Sequence, residues 1–231
     1  DKFGPERVID TPLAENLIAG MSIGMAAEGL KPVAEIQFSG FSYTVIDQIL
    51  NHAGRLRHRT RGRLSCPMVL RTPCGAGIHP PEHHSESPDA MFAHIPGIRV
   101  VYPSSPKRAY GLLLAAIRDP DPVVFLEPTR LYRLFKEEVT DNGEALALDA
   151  CFTLREGTDV TLVSWGAMIY DTLQVADELA EQGVAAEVID VATLKPIDFD
   201  TILASIAKTG RCVIVTEAPR HCSIASEIAA N

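Results

Sequence analysis

Apolar and polar positions alternate with a period that changes along the chain. Val45, Ile46, Ile49, Leu50 and Ala53 recur at helical spacing and predict a helix over 43–56. Further helices are expected over 105–118, started by Ser104-Ser105-Pro106, and over 167–182, 199–208 and 223–231. Between them lie short apolar runs at 32–38, 67–72, 98–103, 122–126, 160–164, 185–191 and 212–216, which read as strands. Strands that alternate with helices imply parallel sheets covered by helices, joined by right-handed crossovers. The stretch 136–156 carries charge and turn signals (Lys136, Glu137, Glu138; Asp141, Asn142, Gly143) and reads as a linker between a unit over 1–135 and a second α/β unit over 157–231.

The helix expected over 12–27 is unusual. Thr11 suits an N-cap and Pro12 the first helical position. Glu15 comes one residue too late for a capping box, so the cap does not occupy it. Its apolar neighbours Leu13, Ala14, Leu17 and Ile18 leave two readings open: a solvated acid favoured by the helix dipole, or a buried acid with a chemical role. The helix interior holds Ala19, Gly20, Ser22, Gly24, Ala26 and Ala27. Each glycine there costs about 1 kcal/mol relative to alanine, so another backbone, of this chain or of a second subunit, is expected to pack closely against it.

Composition removes several function classes. The 231 residues are 46% apolar and 22% charged, as in ordinary globular proteins. A net charge of −9 argues against nucleic acid as the main partner. No apolar run approaches the roughly 20 residues that span a bilayer. The five cysteines form no CxxC pair, which fits reduced thiols. Five arginines between Arg55 and Arg63 read as a phosphate patch or as a solvated or subunit-facing helix end; no aromatics interleave them, which favours the second. The turn at 164–167 lacks GxGxxG, and the chain has no P-loop and no GxSxG elbow.

Candidate chemistry is densest in the irregular loop over 73–88. His79, Glu82, His83 and His84 resemble metal ligands in type, but Pro80 and Pro81 forbid the helical spacing of zinc motifs. One catalytic imidazole on a rigid loop, with the other histidines facing solvent, fits the pattern better.

Several stretches, in order, carry a resemblance: 10–15 (Asp-Thr-Pro-Leu-Ala-Glu), 35–41 (Glu-Ile-Gln-Phe-Ser-Gly-Phe), 46–48, 84–88 (His-Ser-Glu-Ser-Pro), 92–97, 125–128, 131–133, 160–166, 187–190 and 217–219 (Glu-Ala-Pro). Together they resemble the β subunits of the thiamine-diphosphate-dependent 2-oxo acid dehydrogenases, the first component of the pyruvate and branched-chain complexes. The stretch 84–133 is somewhat more similar to the branched-chain members. The resemblance implies a transketolase-like pyrimidine-binding domain followed by a transketolase C-terminal-like α/β domain. Relative to the family, an N-terminal segment and the end of the second domain are expected to be missing.

The resemblance also implies roles. Glu15 would hydrogen-bond N1′ of the cofactor's aminopyrimidine, a task suited to a buried carboxylate of raised pKa. Phe41 would stack on the pyrimidine, and Leu13 and Gln37 would line the same pocket. His84, rather than His83, would handle a proton on the substrate or during transfer to a lipoyl group. The family holds diphosphate and Mg²⁺ through a Gly-Asp-Gly…Asn motif of an α subunit, and that motif does not occur here. The chain is therefore expected to bind the aminopyrimidine half of thiamine diphosphate at the interface of an α2β2 heterotetramer. Its reaction would be the oxidative decarboxylation of a small 2-oxo acid, with the acyl group passed to a lipoyl domain of the acyltransferase core. A structural K⁺ near 66–69 and 116–121, with Asp119 and Asp121, is a weaker implication. No membrane or nucleic-acid partner is expected, and the setting would be a bacterial cytoplasm or mitochondrial matrix. The alternatives are an acetoin dehydrogenase β subunit and a non-catalytic scaffold. Transketolase and deoxyxylulose-phosphate synthase carry the diphosphate site on the same chain.

Overall fold

In the computed structural model, which describes residues 2–231, the apolar runs form two sheets. The first holds β1 (Val33–Glu35), β2 (Val69–Cys74), β3 (Arg99–Val101) and β4 (Val123–Pro128), all parallel, in the order β1-β2-β4-β3. β4 is buried along its whole length. Its unbroken run Val123-Val124-Phe125-Leu126 is what a strand covered on both faces requires. The second sheet pairs β6 (Val160–Ser164) in parallel with β7 (Ala186–Asp190) and β9 (Cys212–Ile214). An antiparallel strand, β5 (Phe152–Arg155), extends it beyond β7. β5 lies within the segment read as a linker; at four residues it is too short for its alternation to stand out.

The helices follow the apolar periodicity closely in the second half. α4 (Pro106–Arg118) starts where expected, with the Ser105 hydroxyl accepting the Arg108 N–H at 3.3 Å. α5 is Met168–Glu181, and α7 is Ile224–Ala230. α6 (Phe199–Thr209) is capped by Asp198, which accepts the Thr201 N–H at 3.0 Å, and ends at Gly210 in the left-handed region.

The first half departs from expectation twice. The first helix, α1 (Glu15–Ala27), begins three residues late, and no side chain caps it. Leu13 is 87% exposed, so no burial offsets the entropy of ordering a further turn there. The helix expected over 43–56 is instead a 3₁₀-helix (Ser39–Val45), a π-helix (Gln48–Ala53) and the short α2 (Leu56–Arg59). Val45, Ile49 and Ala53 still face the core. The backbone widens where Gly54 is pressed against the 96–98 turn: a Cβ on Gly97 would stand 2.0 Å from the Gly54 carbonyl oxygen. The arginine run belongs to this helix end, with Arg57 on Asp121 at 2.7 Å and Arg59 donating to the Asn51 carbonyl at 2.8 Å. A further short helix, α3 (Asp89–Ala93), lies just after the histidine loop.

The two units are joined. β8 (Thr193–Lys195), from the second unit, pairs antiparallel with β3 and completes the first sheet. At three residues it carries no legible period. Tyr102 extends the seam, its N–H donating to the Ala192 carbonyl at 2.7 Å. Asp190, at the end of β7, is fully buried in that seam. Its carboxylate accepts from Ser104 at 2.5 Å and faces the Arg108 guanidinium at 3.5 Å. Burial outweighs both and pushes the carboxyl up to about 6.

Because the folded chain holds the Asp190 proton more tightly than the unfolded chain, this group stabilises the fold on the acid side. The contribution is lost as pH rises from about 4 to about 6, and is on the order of 3 kcal/mol. The difference in unfolding free energy between wild type and Asp190→Asn, measured in guanidinium chloride between pH 4 and 7, should fall by that order as pH rises. A constant difference would contradict the assignment.

Candidate active site

Two glycine-flanked segments build the site. After β1 the chain passes through Phe38, in extended conformation, into the Ser39–Val45 3₁₀-helix, which presents Phe41. Opposite it runs the loop 75–88. Pro81 sits in extended conformation and leads into the single turn Glu82–His84. Glu86 closes the loop. Its carbonyl accepts the Gly75 N–H at 2.8 Å and the Ser39 hydroxyl at 3.1 Å, while its carboxylate accepts the Tyr43 hydroxyl at 2.9 Å. Burial, reinforced by that bond, pushes the Tyr43 phenol up to about 12, so it remains a donor.

The closed loop sets imidazoles on phenyl rings. His84 lies edge-on to Phe38 with centroids 4.5 Å apart, and to Phe41 at 5.6 Å. His83 meets Phe41 at 5.0 Å and stacks on His84 at 4.9 Å. Gly40 makes the approach possible: a Cβ there would stand 2.1 Å from the His83 carbonyl oxygen. The His84 Nδ1 is 3.2 Å from the Pro81 carbonyl oxygen, which can only accept. In the neutral ring Nδ1 therefore carries the hydrogen, and Nε2 carries the lone pair available for proton transfer.

The remaining expected residues stand around this cluster. Glu15 is the first residue of α1 and is half-buried, on the helix that packs against the Phe41 turn. Leu13 and Gln37 lie on the surface. His83, which the sequence reading set aside, touches Phe41 as closely as His84 does. Glu86, Ser39 and Tyr43 had no role assigned from sequence; the only signal was that Ser39 falls inside the 35–41 stretch and Glu86 inside 84–88.

Residues 1–134 match the family described as transketolase, pyrimidine binding domain, and residues 150–231 match transketolase, C-terminal domain. The chain is 47% identical to the pyruvate dehydrogenase E1 component subunit beta of Bacillus subtilis, over 99% of this chain and 70% of that one. It is 47% identical to the same subunit of Acholeplasma laidlawii, over 98% and 69%. The chain belongs to the pyruvate dehydrogenase E1 β family. A split-gene transketolase, solved as an inactive β4 tetramer, superposes with a TM-score of 0.82 at 25% identity, covering 99% of this chain and 71% of that one. The fold class read from sequence, two transketolase-like α/β domains, is thus the observed one, and the E1 β family is thiamine-diphosphate-dependent.

Within this E1 β-type chain the acids considered for cations already have partners. Asp119 and Asp121, considered for K⁺, are paired with Arg99 at 2.9 Å and Arg57 at 2.7 Å. The Lys31 ammonium lies on the Ile117 and Arg118 carbonyls at 2.9 and 3.2 Å. Among the described residues no three His, Cys, Asp or Glu side chains converge as metal ligands. Burial pushes the thiols of Cys66 and the half-buried Cys151 up to about 12 and raises Cys74 as well, which favours the protonated form at neutral pH.

Gly40→Ala should push His83 and His84 off the phenyl rings and cost about 1–3 kcal/mol. The imidazole proton resonances, shifted by the Phe38 and Phe41 ring currents in the wild type, should move toward free-histidine values in the variant. Unchanged shifts would show that the loop does not rest on Gly40.

Proposed function

We propose that this E1 β-type chain acts with an α subunit in an α2β2 heterotetramer and supplies the aminopyrimidine half of a thiamine diphosphate site. The observation that carries the proposal is the Phe41 ring with the His84 imidazole at 5.6 Å, beside the helix whose first residue is Glu15. The arrangement suits the cofactor: a flat heterocycle finds an apolar face in Phe41 and an acid in the first turn of α1. Gln37 and Leu13, both exposed, are available to it. Diphosphate and Mg²⁺ fall to the partner, since no Gly-Asp-Gly motif occurs in this chain.

Support for the partner comes from α1. Leu17 and Met21 are exposed along one stripe, and a Cβ on Gly24 would meet nothing of this chain within 4 Å. A glycine in an open helix face costs about 1 kcal/mol with no return inside this chain, whereas a second polypeptide packed on that face would use it. The relatives are named for a pyruvate dehydrogenase E1 component.

Thiamine diphosphate, when bound, would supply a carbon acid for attack on a keto group and an electron sink for loss of CO2. The chain's own residues serve that chemistry. Glu15 exchanges a proton with N1′, Phe41 orients the ring, and His84 Nε2 moves a proton at the substrate oxygen or the lipoyl sulfur. Pyruvate is the first substrate to test and 2-oxoisovalerate the second; acyl transfer to a lipoyl domain completes the cycle.

The test is reconstitution with an α subunit, Mg²⁺ and thiamine diphosphate, with decarboxylation of each oxo acid followed by ferricyanide reduction. Glu15→Gln should lower kcat by roughly a hundredfold or more and His84→Ala by a similar factor, while Glu82→Gln keeps wild-type activity. A fully active Glu15→Gln complex would reject the proposal, and activity on acetoin alone would move it to the acetoin enzymes.

A further inference from the structure

The loop that carries His83 and His84 is held from behind by the other domain. Its first residues, Gly75, Ala76 and Gly77, meet two side chains anchored there. Glu217, just after β9, accepts the Ala76 N–H at 2.8 Å and the Tyr102 hydroxyl at 3.5 Å. The fit is tight: a Cβ on Gly75 would stand 2.6 Å from the Glu217 carboxylate. Tyr102 is itself buried and lies against Gly166, where a Cβ would come within 2.9 Å of its ring. The second contact is Arg130. Its guanidinium makes a bidentate pair with Asp171 of α5 at 2.5 and 2.8 Å, and its stem packs where a Cβ on Gly77 would come within 2.8 Å. Thr129 adds a hydroxyl donated to the Cys74 carbonyl at 2.9 Å.

We infer that Glu217 is a positioning residue for the His84 imidazole, acting through the Ala76 amide, and that the C-terminal domain thereby sets the geometry of a loop belonging to the pyrimidine-binding domain. Glu217 touches neither imidazole. The loop is a closed one, with Gly75 bonded to Glu86, so a shift at Ala76 is passed along a short rigid segment whose two prolines and single 3₁₀ turn leave few dihedrals to absorb it. Arg130 is the second hold on the same edge. The kinetic part of the inference rests on the function proposed above; the geometric part does not.

Two measurements test it. Amide hydrogen exchange of the wild-type protein, read by mass spectrometry over residues 76–87, is compared with Glu217→Ala, Glu217→Gln, Arg130→Ala and the control Asp177→Ala, which breaks an exposed ion pair with Arg155 that does not involve the loop. Glu217→Ala and Arg130→Ala should exchange faster in 76–87 and as wild type in β6. Glu217→Gln, whose amide oxygen still accepts the Ala76 N–H, and Asp177→Ala should leave the loop unchanged. In the reconstituted complex Glu217→Ala should lower kcat roughly ten- to a hundredfold with KM for the oxo acid within twofold, and Glu217→Gln should restore most of it. Wild-type exchange of 76–87 in both Glu217→Ala and Arg130→Ala overturns the inference, as does a kcat loss in Glu217→Ala with no loosening of the loop. A wild-type complex inactive on every oxo acid counts against the proposed function instead, and the exchange data then judge the clamp alone.

Discussion

The arrangement of the site depends on one backbone contact. Residue 40 has no side chain, so the 3₁₀ turn bearing Phe41 can close to where a Cβ would stand 2.1 Å from the His83 carbonyl oxygen. That approach lets two imidazoles rest on two phenyl rings, and lets the Ser39 hydroxyl reach the Glu86 carbonyl at the loop's other end. Neither segment would hold this shape alone. The turn is short and not α-helical, and the loop spends its prolines on two residues before the histidines. Each is the other's support, which is how a polar, irregular stretch keeps a fixed geometry without a core of its own.

The second consequence concerns the division of labour between domains. The first sheet is completed by a strand from the second domain, and Asp190, Tyr102 and Glu217 lie along the same seam. Buried polar groups at a seam are costly unless paired, and these are paired across it. The result is a joint that is specific in register and stiff in orientation, suited to presenting a loop at a fixed height. The exposed stripe of α1 lies elsewhere, on the helix in front of the Phe41 turn, so the seam and the proposed subunit contact do not compete for the same surface.

The architecture was largely legible because its strands are short, mostly apolar runs and several later helices carry plain caps: β6 occupies the run 160–164, and α6 is capped by Asp198 and stops at Gly210. What escaped were elements too short to have a period, β5, β8 and α3, and backbone set by distant contacts, as where Gly97 faces Gly54 across the chain and a π-helix replaces a regular one. At the site, the family resemblance, rather than residue type alone, pointed to Phe41, His84 and Glu15, and the fold brings the first two within 5.6 Å. The supporting residues Ser39, Glu86 and Glu217 fall inside stretches that carry the resemblance, but nothing local assigned them a task. Glu217 lies 141 residues from the amide it holds, and no local pattern encodes such a pair. The late start of α1 had the same origin: Leu13 finds nothing in this chain to pack on.

The exposed Leu13, the open Gly24 face of α1 and the half-buried Glu15 are the features that the proposed subunit contact would cover. The most direct measurement is calorimetric titration of thiamine diphosphate with Mg²⁺ into this chain, into an α subunit, and into the two mixed. Saturable binding that is far tighter in the mixture than in either chain alone is the expected result. Equal affinity for this chain by itself would mean that it carries a whole site and not half of one.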